Sequence, residues 1–225
     1  MDANDEAIRA LAAVPYFTGV NDDLVKTIAK HTIRQDFEAG QVVFLEGEQE
    51  VALYIVQTGW FKAVKTSPDG REQVLSFIGP GEVFNAIGVF VESANPATVI
   101  ALEAGVAWAI PQPAMLKLLD DHPQLARVVI RRLAGRVQQL IAMVEDLSLR
   151  SIEARLARYL IEQSSADQLQ RPRWATQAEL ANRLGTVPDV LHRALRSLAK
   201  DNLIRVERHQ IQILDYEGLA VKAGL

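Results

Sequence analysis

The residues whose types and spacing could do chemistry lie between Thr176 and Arg208. Thr176-Gln177-Ala178-Glu179 has the form of a capping box, in which the Thr side chain caps the third helical amide and the Glu reaches back. Gly185 closes the short helix opened there. Pro188 starts a second helix at the position where its missing N–H costs nothing. On that helix Val190, Leu191, Ala194, Leu195 and Leu198 fall inward, and His192, Arg193 and Arg196 fall outward. A guanidinium held outward at Arg193 can donate two hydrogen bonds to O6 and N7 of a guanine in a major groove. Asp189, four residues earlier, can accept from a cytosine amine or brace Arg193 as an i,i+4 pair. Beyond the helix, Leu203–Glu207 and Gln210–Leu214 alternate polar and apolar residues across an Arg208-His209 turn, the pattern of a β-hairpin. Two short helices about a glycine turn, followed by a hairpin, predict a winged helix-turn-helix.

The charge distribution is consistent with such a surface. From Arg171 to Arg208 there are eight basic and four acidic residues, a window of +4 in a chain of net charge −4. A basic window alone also describes an ordinary solvated face. Arg171 and Lys200 are candidates for phosphate contacts.

These residues need a platform. The 225 residues are 49% hydrophobic and 23% charged, the balance of a soluble globular chain of one large or two small domains. From about Asp2 to Lys30 the chain reads helical, with a break from Pro15 to Gly19. From Ile33 to Ile110 short β-rich runs alternate with turns: 42–45, 52–56, 61–64, 74–78, 98–102 and 107–110. Many short strands with regular turn punctuation predict an antiparallel sandwich or jelly roll. Pro68-Asp69-Gly70 is a turn by its chemistry, since Pro fixes φ, Asp bonds its own backbone and Gly accepts positive φ. After Pro113 the period becomes helical. Ala126, Ile130, Leu133, Val137, Leu140, Val144 and Leu147 recur at 4, 3, 4, 3, 4, 3, an a/d seam over three heptads. A stripe so narrow favours a partner helix in a homodimer over burial on its own domain. A second helix carries Ile152, Leu156, Tyr159 and Leu160 on one face, and the polar stretch Gln163–Arg173 reads as a boundary. The expected fold is α+β, divided as an N-terminal jelly-roll sensor (1–112), a dimerisation helix (113–148) and a winged helix-turn-helix (149–225).

Nearly the whole chain resembles the cyclic-AMP receptor protein and fumarate-nitrate-reduction regulator (Crp/Fnr) superfamily. The barrel pattern is carried by Gly40 with Phe44, Glu46-Gly47, Tyr54-Ile55-Val56, Gly59, Gly70-Arg71-Glu72 and Gly81-Glu82-Val83-Phe84, and the DNA reader by Gln177 to Ile204. The resemblance implies a cyclic-nucleotide-binding-like domain, a homodimer, a palindromic double-stranded operator and RNA polymerase as a further partner. It places the base-reading positions on Pro188, Asp189, His192 and Arg193, with Asp189 where Glu is usual and His192 where Ser or Gly is usual. The candidate DNA-contacting set is Thr176, Gln177, Pro188, Asp189, His192, Arg193, Arg196 and Arg208.

The sensor departs from the nucleotide-binding pattern. Asn85 and Ala86 stand where that branch has Gly-Glu, and Pro96 and Ala97 where it has Arg-Ser. A buried phosphate there would lack a guanidinium partner, so cyclic AMP is not expected to bind. The chain has no cysteine, which excludes an iron–sulfur cluster and disulfides and fits a reducing, cytoplasmic address. Cysteine-free members with an apolar cassette resemble the denitrification regulators, which implies haem as a candidate cofactor. Haem would take His31 or His122 as its histidine ligand, the other two histidines lying in the DNA domain. The expected effector pocket is apolar: Ile87, Val89 and Phe90 (with Val91 in the same run) against Leu140 and Ile141. Trp60 and Trp108 read as core packing rather than ligand stackers. An enzyme is not expected: the strands from Ile33 to Ile110 hold no histidine for a jelly-roll metal site, and no catalytic or metal-ligating set can be assembled. The alternative is a ligand- or haem-binding sensor whose output is not DNA binding. No run approaches the roughly 20 apolar residues of a membrane span, and the acidic N-terminus does not read as a signal peptide.

Overall fold

In the computed structural model the described residues are 3–14, 17, 19–49, 51–91, 93–164, 168–170, 174–207 and 210–225. The chain divides into two compact units. The first comprises Met1–Ser67 with Leu75–Gln138, and the second Pro68–Val74 with Gln139–Leu225.

The first unit opens with α1 (Ala3–Ala12) and α2 (Asp22–Ala29), the latter capped by the Asn21 side chain, which accepts from the Leu24 amide. Strands β1 (Ile33–Phe37), β2 (Val42–Phe44), β3 (Ala52–Thr58), β4 (Phe61–Thr66), β5 (Glu72–Ile78) and β6 (Val83–Phe84) follow. A short helix α3 (Ala86–Val91) precedes β7 (Thr98–Ala101) and β8 (Gly105–Pro111). The strands form two four-stranded sheets, ordered β1-β8-β3-β6 and β2-β7-β4-β5, with antiparallel pairing. This is the jelly-roll-like sandwich that the strand-and-turn rhythm predicts. Each β-rich run named from the sequence lies on a strand; β1 and β6, which lack a long apolar run, complete the first sheet.

The continuous apolar run in β3 has a specific cause. Tyr54 and Val56 face the sandwich interior with Phe44, Phe61 and Phe84, and Tyr54 stacks on Phe84 at 4.8 Å. Leu53 and Ile55, pointing the opposite way, join Trp108 and Ile110 of β8 in a second core. Both faces of the strand are covered, so the period-2 alternation carries no polar half. The second core is closed by α1, α2 and the helices after β8, α4 (Gln112–Asp121) and α5 (Pro123–Leu149), through Leu11, Ile28, Met115, Leu125 and Val129.

The second unit holds the end of α5, then α6 (Ile152–Gln163), β9 (Gln168–Gln170), α7 (Gln177–Arg183), α8 (Pro188–Lys200), β10 (Ile204–Val206), β11 (Gln210–Ile213) and α9 (Tyr216–Ala223). Its core joins Leu156 and Leu160 of α6 to Leu191, Leu195 and Leu198 of α8, with Ile204, Ile211 and Leu219. The hairpin β10–β11 gains a third strand in β9. Of the polar stretch 163–173, Gln168–Gln170 are thus a strand of the second unit.

Candidate DNA-binding surface

The helix-turn-helix is built from local signals. Thr176 Oγ1 accepts from the Glu179 amide at 3.2 Å and opens α7. The returning half of the capping box does not form, because the Thr176 amide donates instead to the Trp174 carbonyl at 2.8 Å. At the other end Gly185 takes φ +64°, in the left-handed region, and the Thr186 amide returns to the Ala181 carbonyl at 2.9 Å. Pro188 is in the first turn of α8, and Asp189 is the acid in that turn, where the helix dipole favours it.

The inward face of α8 is fully committed. Leu191, Ala194, Leu195 and Leu198 are buried in the core, while Val190 lies half-exposed at its edge. The opposite face is open. Pro188, Asp189, His192, Arg193, Arg196 and Lys200 are all exposed. Among the described residues no ion pair joins Asp189 to Arg193, so the guanidinium keeps its donors for an external acceptor. Thr176 and Gln177 are exposed at the start of α7, and Arg205 is exposed on β10. Arg208, Arg171 and Arg173 lie outside the described residues.

Two half-buried arginines lie behind this surface, Arg155 of α6 and Arg183 of α7. Arg155 of α6 donates from Nη1 to the Leu184 carbonyl at 2.5 Å, holding the end of α7 where the turn begins. Burial pulls its guanidinium below the usual value, although Asp146 opposes the shift. Arg183 on α7 is lowered by burial as well. At the junction of α5 and α6, Asp146 Oδ1 pairs with Arg150 Nε at 2.9 Å and Arg158 Nη1 at 3.3 Å, and Arg150 also donates to the Ala223 carbonyl at the end of α9. No local pattern marks these arginines, because an arginine on a helix reads as solvated until the tertiary contacts are known.

The remaining candidate residues are placed as follows. On α5, Ile130, Val137 and Val144 are exposed, and Leu147 only marginally so. Ala126, Leu133 and Leu140 are half-buried, and Leu133 packs on the sensor core. Ala134 and Ile141, one residue beyond Leu133 and Leu140, are exposed. Of the pocket candidates, Val89 is fully buried, Phe90 packs against the same core and Ile87 is exposed. The α5 residues in that core are Leu125, Val129 and Leu133, whereas Leu140 and Ile141 belong to the second unit. His31 is exposed just before β1, and His122 is half-buried at the end of α4. Trp108 is buried and its indole N–H donates to Gln57 Oε1 at 2.9 Å, the behaviour of a packing residue. No helix among the described residues is long and apolar enough to cross a membrane.

A jelly-roll domain joined to a winged helix-turn-helix with an open basic face defines a DNA-binding transcription regulator. A cyclic nucleotide-binding domain model matches residues 34–122, and a Crp-like helix-turn-helix domain model matches residues 154–221. The chain is 30% identical over 212 residues to the probable transcriptional regulator flp of Lacticaseibacillus casei, covering 92% of this chain and 95% of that one. It is 27% identical over 219 residues to the CRP-like cAMP-activated global transcriptional regulator of Mycobacterium tuberculosis, covering 95% and 98%. The fold is shared with FixK2 from Bradyrhizobium japonicum at a TM-score of 0.75 and 20% identity, covering 84% of this chain and 96% of that one. The chain belongs to the Crp/Fnr family. Members of this family regulate transcription rather than catalyse reactions.

Proposed function

We propose that the chain works as a homodimer that reads a palindromic DNA site and answers to a signal other than a cyclic nucleotide. The observation that carries the DNA-reading part is α8, whose apolar face is buried and whose Asp189, His192, Arg193 and Arg196 are all exposed. Arg193 reads a guanine, Asp189, His192 and Pro188 adjoin it, and Thr176, Gln177 and Arg208 flank the groove. The dimer is supported by the apolar stripe left uncovered along α5. The working division is a sensor over 1–112, a dimerisation helix over 113–148 and a reader over 149–225. RNA polymerase is the further partner, and the cytoplasm the site of action.

Selection of operators from a randomised pool by the full-length protein tests this. A palindrome with half-sites about one helical turn apart is expected. Recovery of no preferred sequence would overturn it.

The nucleotide reading is favoured by one specific observation, the M. tuberculosis relative described as cAMP-activated. Against it stand Pro96 and Ala97, which offer no guanidinium or hydroxyl to a phosphate. Calorimetry with cyclic AMP and cyclic GMP decides, and micromolar binding would restore the nucleotide. An apolar effector at the sensor, or haem through His31 or His122, are the other signals to test. An absorbance spectrum of the purified protein reports haem directly.

A further inference from the structure

The run between β6 and β7 is closed by its own side chains. Asn85 sits immediately before α3 with φ +65°, in the left-handed region. Its Nδ2 donates to the Ala52 carbonyl at 3.0 Å and to Asn95 Oδ1 at 2.9 Å. Asn95 is one of the few buried polar residues, only 2% exposed. Its backbone carbonyl accepts from the Gly47 amide and its amide donates to the Glu48 carbonyl, each at 2.9 Å. Asn85 and Asn95 thus tie the start of α3 to β3 and to the 46–48 turn. Between them lies no room. A methyl group on Gly88 would stand 2.9 Å from Asn85 Oδ1, 3.1 Å from Val51 Cγ1 and 3.3 Å from Asn95 Oδ1. Both side-chain oxygens therefore crowd the inner side of α3, where they would repel an anion.

Asn85 bears two costs. Its backbone is in a conformation that L residues other than Asn, Asp and Gly seldom adopt, and among the described residues its buried Oδ1 meets no donor. Glycine would take the same φ without strain. The two hydrogen bonds from its Nδ2 offset these costs, so what the residue contributes here lies in its side chain.

We infer that the Asn85–Asn95 pair is a built-in latch that holds this segment shut from within the chain and bars anions from it. The latch does for the segment what a bound anion would do, joining its two ends, but with amides that need no ligand. The inference deepens the proposal that the signal is not a cyclic nucleotide and rests on it. A signal reaching the sensor must then act elsewhere than between α3 and the loop that follows it.

Hydrogen exchange measured by mass spectrometry on the full-length protein tests this, using peptides across 85–98, with inorganic phosphate and cyclic AMP as probes. Asn85→Gly is the decisive variant, because it keeps the backbone conformation and removes only the side chain; Asn95→Ala opens the pair from the other end. In the unaltered protein the amides of 86–91 and of 93–95, 97 and 98 are expected to be protected without ligand, and neither probe should add protection. Asn85→Gly should speed their exchange roughly tenfold, the factor that one or two net hydrogen bonds represent, with α8 unchanged. Unaltered protection in both variants would overturn the latch. So would a segment that exchanges freely until phosphate or cyclic AMP is added. Calorimetric binding of cyclic AMP with protection of 86–98 unchanged would instead defeat the non-nucleotide reading and leave the latch standing.

Discussion

The exposed stripe on α5 allows the proposed dimer interface to be tested at single-residue resolution. Ile130, Val137, Ile141 and Val144 are 65%, 54%, 61% and 63% exposed in the isolated chain. With Ala134 they recur at 4, 3, 4, 3, so a seam centred on this exposed stripe would take Ile141 where the seam expected from the sequence takes Leu140. Burying a whole Ile or Val is worth about 1.5–3 kcal/mol, and covering the exposed fraction about 1–2 kcal/mol. In a two-fold dimer the substitution occurs twice, so Ile141→Asp removes about 2–4 kcal/mol before any cost of the new charge. At about 1.4 kcal/mol per factor of ten, the dimer dissociation constant should rise roughly 30- to 700-fold. Sedimentation equilibrium across a dilution series measures this, with circular dichroism to confirm that each monomer remains folded. Leu133→Asp is the contrast: Leu133 packs on the sensor core, so its loss should appear as lowered melting temperature. An Ile141→Asp protein that dimerises as tightly as the unaltered chain, while Leu140→Asp comes apart, would refute this register and restore the one in which Leu133, Leu140 and Leu147 meet the partner.

Three further outcomes are expected. Arg193→Ala should cost about 1–3 kcal/mol per half-site and relax selection at one base pair while leaving melting and dimerisation unchanged; operator selection with the variant reads both. Leu191 is fully buried in the reader core, so Leu191→Ala should destabilise that unit by about 2–5 kcal/mol, seen as an earlier unfolding transition and lost protection in α8. Glu6 is held below its usual pKa by the hydrogen bond from Gln57 and by Arg34, whose Nη1 lies 2.5 Å away. A lowered carboxylate pKa stabilises the fold above the unfolded value, here 4.5, and loses that contribution as pH falls through the folded value. The stability gap between the unaltered protein and Glu6→Gln should therefore be constant above pH 4.5 and shrink below it, and a gap that widened on acidification would contradict the pairing.

Much of this architecture is legible in the residues, and the places where it is not share a cause. Capping Thr176, Gly185 and Pro188 announce α7, the turn and α8 because each satisfies a local backbone requirement. The strands of the sandwich are legible for the same reason, being short apolar runs between turns. The seam on α5 is only half legible. Ile130, Val137 and Val144 fit a heptad with Leu133 and Leu140 on one side or with Ala134 and Ile141 on the other. The packing of Leu133 on the sensor core is the tertiary fact that bears on the choice, and the local pattern does not contain it. The pocket candidates follow the same rule: Ile87, Val89 and Phe90 read as one apolar run, but as a helix they diverge, with Val89 in the core and Ile87 in solvent. Arg155 and the Asn85–Asn95 pair are long-range by nature, joining residues 29 and 10 positions from their partners. β9 is three residues of a polar stretch, paired only because β11 offers an edge.

The uneven commitment of α5 constrains how a signal could act. Over 27 residues the helix is about 40 Å long. Its first turns are spent on the sensor core through Leu125 and Val129, and its last on the ion pairs of Asp146, Arg150 and Arg158. Between them Ile130, Ala134, Val137, Ile141 and Val144 are exposed, as are Leu147 and Leu149 at the end of the helix. A continuous helix curves gently but does not shorten, since each turn is held by its own hydrogen bonds. In a dimer built on this stripe, the degrees of freedom left to a regulator are the roll of one α5 against its partner and the break after Leu149, where Ser151 caps α6. A roll by one residue would exchange Ala134 and Ile141 for Leu133 and Leu140, the seam expected from the sequence. An effector that bound both registers equally would shift nothing, however tightly it bound. In the proposed dimer, regulation through this helix would need a signal that discriminates whether Leu133 lies on the sensor core, as it does in this structure, or on the partner.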